Sequence, residues 1–299
     1  MKLFSFYTPK GQIKIGIEID NRQYDFTQIW EFFKDIKGSH QTPALMFLQV
    51  MIELTFFNFQ DIKEVLKTVQ NFRSLDDVRI NDTIKYDVPI TRPQKILCIG
   101  RNYAAHAEEL GNKKPGEPIF FAKMPSAMIP HEGKILLPQD VGRVDHEIEL
   151  GVIISQQGKN IPAASAMDYV AGFTIVNDVT ARAMQKSDTG KQHPWLRSKN
   201  FDTFCPIGPY LVPTAAVADP HNLDLTLKVN GEVRQTSNTS RMIFKIPELI
   251  SYLSEFMTLH AGDIVATGTP EGVSELHPGD VVEAEINELG KLKNVVAGS

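Results

Sequence analysis

From about Arg92 to the C-terminus the chain is a succession of short apolar runs, each cut off by glycine or proline. KILCIG, PIFFAK, IELGVII, GFTIVNDV, LDLTLKVN and DIVATG all read as strands. KVNGEVRQ holds Asn230-Gly231 between β-formers, the strongest short hairpin signal. Helical spacing is confined to NYAAHAEEL, a stretch around AMDYV, and IPELISYLSEFM. Many short strands with few helices exclude a doubly wound α/β domain and predict a rolled or sandwiched β fold.

The first part reads differently. IKIGIEI and RQYDFT alternate like a hairpin around Asp20-Asn21, and helical spacing follows through about Val69. The most apolar run, ALMFLQVMIELTFF, carries Gln49 and Glu53 and is shorter than the ~20 residues a spanning helix needs. It reads as a helix packed into a small domain. DVPITRPQK has two prolines and no periodicity, which suits a linker. A chain of 299 residues allows two domains. The expected division is a small α+β domain over residues 1–92 and a larger domain over 93–299.

Composition narrows the function. The net charge is −5, and no basic patch is interleaved with aromatics, so nucleic acid is not an expected partner. The N-terminus lacks the apolar core of a signal peptide, and no membrane partner is expected. Cys98 and Cys205, both in apolar surroundings, read as buried thiols in a reducing, cytoplasmic setting. Their number excludes disulfide frameworks and cysteine zinc sites.

The chemistry starts at DHEIELGVII, Asp145–Ile154. Side chains two apart on a strand share a face, so Glu147 and Glu149 project together while Ile148 and Leu150 pack the other way. Two carboxylates so placed repel unless a cation lies between them, and a hard divalent ion prefers oxygen ligands. An exposed strand with a polar face would show the same alternation. Asp178, at the end of the strand in GFTIVNDVTAR, supplies a third carboxylate; alone it would read as a helix cap. With Glu147 and Glu149 it makes a three-carboxylate site, and Asp145 is a lesser candidate.

A helix over Tyr103–Leu110 puts His106 and Glu109 on one face, where Glu109 could orient the imidazole and His106 handle a proton. A surface pair has the same spacing. The bracketing Gly100 and Gly111, and the loop GNKKPGE, read as the hinges of a lid. Lys199 and Gln185 could each hold a substrate oxygen or be solvated. ATGTPEGV, Ala266–Val273, is a small-residue turn able to cradle a carboxylate. The remaining histidines, His40, His131, His146, His193, His221, His260 and His277, read as surface or structural.

Taken in order, GRNYxxHxxE, EPxFFxK, DHExELG, NDVTAR, KxFDTFCPxGP, VNGExRQ, MIF and GDIxxTGTPxGV resemble the fumarylacetoacetate hydrolase family from about Ile96 to the C-terminus. The resemblance implies a mixed β-sandwich roll and a homodimer, with Mg²⁺ or Mn²⁺ held by Glu147, Glu149 and Asp178. It implies that the His106–Glu109 pair sits on a lid over the metal. Lys199 and Gln185 match positions lining the pocket, Thr269 matches a substrate-contacting position, and Arg101 and Tyr103 become pocket residues. The N-terminal segment looks like the small extra domain of longer members.

The implied substrates are 2-oxo acids, and the nearest branch holds acylpyruvases, oxaloacetate decarboxylases and hydroxyheptadienedioate isomerases. Hydrolytic carbon–carbon cleavage of an acylpyruvate leads. His106 would act as base, Glu109 as its orienter, and Lys199 would help hold the charge of the pyruvate enolate. Decarboxylation or isomerisation at the same site are the alternatives. A non-catalytic dicarboxylate-binding protein is the other class, and the intact His106–Glu109 pair argues for the enzyme.

Overall fold

The computed structural model describes residues 1–38, 48–53 and 59–298. The chain opens with β1 (Lys2–Tyr7), β2 (Ile13–Ile19) and β3 (Arg22–Asp25). Between β2 and β3, Asp20 and Asn21 have φ of 49° and 60°, the backbone that a two-residue hairpin between twisted strands requires. Asp25 then caps α1 (Phe26–Lys37) by accepting the Gln28 N–H, and Gly38 ends it in the left-handed region. The helices α2 (Leu48–Glu53) and α3 (Phe59–Gln70) follow, then β4 (Lys85–Asp87). The run from Ala44 to Phe57 is described only at α2, which is helical as expected; the rest of it, and His40, lie outside the described residues.

Next come β5 (Ile96–Gly100), α4 (Ala104–Glu109), β6 (Ile119–Lys123), β7 (Met128–Ile129), β8 (Lys134–Leu137), β9 (Val144–Asp145) and β10 (Ile148–Ile154). They are followed by β11 (Val170–Asn177), β12 (Thr180–Ala181), α5 (Arg182–Gly190), α6 (Leu196–Lys199) and β13 (Cys205–Pro213). The chain finishes with β14 (Asp224–Val229), β15 (Glu232–Asn238), α7 (Ile246–Phe256), β16 (Ile264–Ala266), β17 (Val281–Ile286) and β18 (Gly290–Gly298). The stretch around AMDYV is a 3₁₀ segment, Ala163–Tyr169. Asp178 is followed by the short strand β12 and then by α5, a helix that the sequence pattern does not announce.

The architecture is mainly β with some α, and its sheets are mixed. The large sheet runs β3-β2-β1-β13-β11-β10-β16-β5-β6, with β4 beside β1 and β7 beside β13. A five-stranded sheet, β15-β14-β17-β18-β8, is the second layer, and β12 and β9 form a short pair. Most ladders are antiparallel; β16 with β5, β13 with β7 and β18 with β8 are parallel.

Alternation along the central strands divides the core. Ile148, Leu150, Val152 and Ile154 of β10 pack with Phe173 and Ile175 of β11, with Leu225 and Ala284 of the smaller sheet, and with Leu249 and Leu253 of α7. Ile153, Val176, Cys98 and Ala266 face the other way, into a cluster that includes Ile29, Met51, Val65 and Val69 from the N-terminal helices. Every residue of β10 is therefore buried, and the polar face of this strand does not meet solvent. Glu149 shares its parity with Ile153.

At Gly172 of β11 an added Cβ would lie 2.2 Å from the Val212 carbonyl oxygen of the neighbouring strand β13. That neighbour is backbone and cannot rotate away. Gly172→Ala is expected to destabilise the protein by about 1–3 kcal/mol, the usual range for overpacking. A lowered urea midpoint at unchanged slope would show it, and an unchanged midpoint would contradict this packing.

Candidate active site

The β10–β11 ladder assembles the carboxylates. Ile148 pairs with Asn177 and Glu149 with Val176, and the Asp178 N–H donates to the Glu147 carbonyl at 2.8 Å. One ligand atom from each of Glu147, Glu149 and Asp178 lies within 4.8 Å of the others. All three side chains are buried.

Two lysines and an arginine hold this group. Lys199 Nζ donates to Glu147 Oε2 at 3.0 Å and to Asp178 Oδ2. Lys123, fully buried, donates to Asp178 Oδ1 at 2.7 Å and to the Lys199 carbonyl at 2.5 Å. Arg182 donates to Glu147 Oε1, to Asp145 Oδ2 at 2.8 Å and to Gln185 Oε1 at 2.6 Å. Burial alone would raise the Glu147 pKa, but Lys199 and Arg182 outweigh it and hold the group well below the usual carboxylate range. Burial would likewise lower the Lys199 pKa, and Asp178 and Glu147 reverse it.

Glu149 is the exception. Its one hydrogen-bond donor is the Gly268 backbone N–H at 2.8 Å, and among the described residues no cation pairs with it. Burial, then the charges of Asp178 and Glu147, push its pKa well up. Gly268 makes this approach possible: its φ is +96°, and a Cβ there would lie 2.7 Å from Asn102 Cβ. Three buried carboxylates, one without a cation, form an all-oxygen donor set that fits a hard divalent ion.

The carboxylates open into a cavity of about 740 Å³ whose walls include His106, Glu109, Arg101, Gln185, Lys199 and Thr269. His106 Nδ1 lies 3.3 Å from Glu109 Oε2, and the Gly272 N–H donates to both Glu109 oxygens, at 3.1 and 3.3 Å. Burial would raise the Glu109 pKa, but the bonds from His106 and Gly272 leave it below the usual range. The helix α4 is thus latched onto the TPEG turn through Glu109. A second hollow, near Tyr7, Arg79 and Lys85, holds none of these residues.

Tyr103 departs from expectation. It precedes α4 in extended backbone and bridges to Met242; its ring is 1% exposed in the core, away from the cavity wall. Asp145 is likewise turned from the carboxylate group and held by Arg143 and Arg182. The sequence reading missed Lys123, Arg182 and Trp195. The signal for the first two was present: three buried carboxylates demand cations, and the nearest basic residues of the motifs end PIFFAK and NDVTAR. Trp195 lines the cavity beneath Arg101, whose guanidinium lies 5.5 Å from its ring centre.

Residues 95–297 match the model of the fumarylacetoacetate (FAA) hydrolase C-terminal family. An uncharacterised protein of Pyrococcus horikoshii is 52% identical over 208 residues, 70% of this chain and 89% of that protein. A mitochondrial oxaloacetate tautomerase of Bos taurus is 49% identical over 220 residues, 71% of this chain and 69% of that protein. Among solved structures, a fumarylacetoacetate hydrolase from Exiguobacterium antarcticum superposes with a TM-score of 0.78 at 31% identity, covering all of both chains. A maleylpyruvate hydrolase from Sphingobium, solved with manganese(II) and pyruvate, gives a TM-score of 0.76 at 29% identity, again over all of both chains.

Without a metal Glu149 must either take up a proton or carry a buried charge beside like-charged neighbours, and Glu149→Gln removes that cost. The metal-free variant is expected to melt above the wild type. It should bind Mg²⁺ more weakly by more than the ~10–100-fold that loss of a supporting partner typically costs. Thermal melts and titration calorimetry on the metal-free protein measure the two effects. A variant that melts lower and binds Mg²⁺ equally well would contradict this account.

Proposed function

The chain belongs to the fumarylacetoacetate hydrolase family, and from that premise we propose that it is a divalent-metal-dependent enzyme acting on 2-oxo acids. One observation carries the reading: the buried carboxylate group, the Lys199 ammonium and the His106–Glu109 pair face a single cavity. Glu147, Glu149 and Asp178 would hold Mg²⁺ or Mn²⁺, which when bound polarises a 2-oxo group as a Lewis acid.

The remaining chemistry belongs to the chain's own side chains. A carboxylate can only accept, so the bond to Glu109 places the proton of neutral His106 on Nδ1 and leaves Nε2 free as a base. Lys199 provides positive charge where a substrate oxygen becomes anionic as the enol forms. Thr269 Oγ1 accepts from Gln235, so its own proton is free to be donated into the cavity. Arg101 has neither an ion-pair nor a hydrogen-bond partner among the described residues, whereas Arg143, Arg182 and Lys199 are all paired. A free guanidinium on the cavity wall suits a second carboxylate.

We therefore read tautomerisation of oxaloacetate as the first reaction: His106 moves a proton between carbon 3 and the 2-oxo oxygen. Similarity to the bovine tautomerase and the free Arg101 both favour it. Hydrolytic cleavage of an acylpyruvate, with His106 activating water, is the second reading, and likeness to the maleylpyruvate hydrolase favours it. Decarboxylation of oxaloacetate would draw on the same enolate. The same proposal takes residues 1–92 as an accessory unit and 93–299 as the catalytic one, in a cytoplasmic homodimer. Among the described residues no helix is long and apolar enough to cross a membrane.

The test is turnover of oxaloacetate and acetylpyruvate with Mg²⁺ or Mn²⁺, following enol–keto conversion and cleavage separately. A protein that binds oxalate but turns over neither would be a dicarboxylate binder. His106→Ala is expected to lower the principal activity by ~10²–10⁴-fold, the usual worth of general acid–base catalysis. A loss under tenfold would remove His106 as the base.

Arg101→Met is expected to raise KM for oxaloacetate while leaving that for acetylpyruvate near the wild-type value. Equal changes in both would show that Arg101 does not read the distal carboxylate.

A further inference from the structure

Gln235 lies on β15, in the smaller sheet, and does not line the cavity, yet its amide reaches the core of the site. It is fully buried and makes four hydrogen bonds. Oε1 accepts the Ile148 N–H at 3.1 Å, at the residue between Glu147 and Glu149. The second bond to Oε1 comes from His146 Nδ1 at 2.9 Å. Nε2 donates to Thr269 Oγ1 at 2.9 Å and to the Pro270 carbonyl at 2.8 Å. The backbone donor Ile148 N–H and the backbone acceptor Pro270 O fix which end of the amide is which.

Because Oε1 is an acceptor, His146 carries its proton on Nδ1, and Nε2 accepts from the Ser274 hydroxyl at 2.8 Å. Gln235 and His146 therefore grip the turn at Thr269, Pro270 and Ser274. The turn is also pressed against β15: a Cβ on Gly272, at φ +93°, would lie 2.1 Å from the Arg234 carbonyl oxygen and 3.3 Å from Gln235 Cα. Between the gripped points lies Gly272, whose N–H holds Glu109, and just before them Gly268, whose N–H holds Glu149.

We propose that Gln235 is a positioning residue that fixes the TGTPEG turn against the carboxylate strand and so sets where the His106–Glu109 helix is held over the cavity. One amide touches both parts, the strand at Ile148 and the turn at Thr269 and Pro270. Without it the turn would lose its register with the carboxylates, and Glu109 its fixed partner.

Two full-length variants, loaded with Mg²⁺, test this. Gln235→Met removes all four bonds at similar volume. Gln235→Glu keeps the acceptor for Ile148 and His146 and sets a carboxylate against the Pro270 carbonyl. Hydrogen exchange is expected to quicken at Gly268, Gly272 and α4 in both, while Ile148 stays protected in the Glu variant. General loosening would move all these amides together. Unchanged exchange at Gly272 in the Glu variant would overturn the proposal even if the Met variant fails to fold.

The kinetic arm rests on the enzymatic reading above. In either variant kcat should fall by about 10²-fold, the cost of a misplacement near 1 Å, with KM little changed. In a Glu109→Ala background, which removes the acceptor for the Gly272 N–H and so lacks the latch, the same substitution should cost far less. Fully additive losses would show that Gln235 does not act through Glu109. A wild type without turnover would count against the enzymatic reading and leave the exchange result standing.

Discussion

Three buried carboxylates within one ion's reach are the constraint from which the rest of the structure follows. Like charges in a medium of low polarity repel strongly, and each also loses its hydration. The fold answers with Lys199, Lys123 and Arg182, brought from three different segments. Lys123 ends β6, Arg182 opens α5 and Lys199 ends α6. The two short helices after β12 serve largely to place these cations. Arg182 is itself balanced by Asp145, which Arg143 shares, so charge alternates outward from the cavity to the surface. Removing one member would leave its partner buried and uncompensated, which costs far more than the pair contributes as a whole.

Much of the site was legible because period-two spacing is a strong signal. Glu147 and Glu149 could be assigned to one face before any contact was known, and the helical spacing of His106 and Glu109 held. Burial was less legible. DHEIELGVII alternates as a half-exposed strand would, yet the N-terminal helices cover its second face. Nothing local announces that cover, because it comes from residues more than 70 positions earlier. The helix α5 was missed because RAMQKSDTG has no apolar stripe. Arg182 and Gln185 on this helix face the cavity, and Asp188 is buried against Arg197. Tyr103 was misplaced because a motif shows that a residue matters without showing whether it meets substrate or core.

The cavity explains why family likeness alone does not select a reaction. The carboxylate group and Lys199 suit any substrate with adjacent carboxylate and keto oxygens. On the proposed reading, selection would fall to what surrounds them: Arg101 above Trp195, His106, and the turn that holds Glu109. Trp195 is pinned by its Nε1–H on Thr189 Oγ1 and by its edge contact with Phe121, so it offers Arg101 a rigid shelf. Arg101 itself has φ +60°, a conformation that a side-chain-bearing residue adopts only when its surroundings hold it there.

The pairing of β1 with β13 has a consequence for how the chain is made. Leu3 lies opposite Leu211 and Phe4 opposite Tyr210, so β1 leaves the ribosome about 200 residues before the strand that completes its pairing. At ~5–20 residues per second that interval is on the order of ten to forty seconds. Until then β1 has an unfilled edge and must be occupied by β2 and β4 alone. A nascent chain in this condition carries an unpaired strand edge, and a stall in translation before residue 205 would leave that edge open.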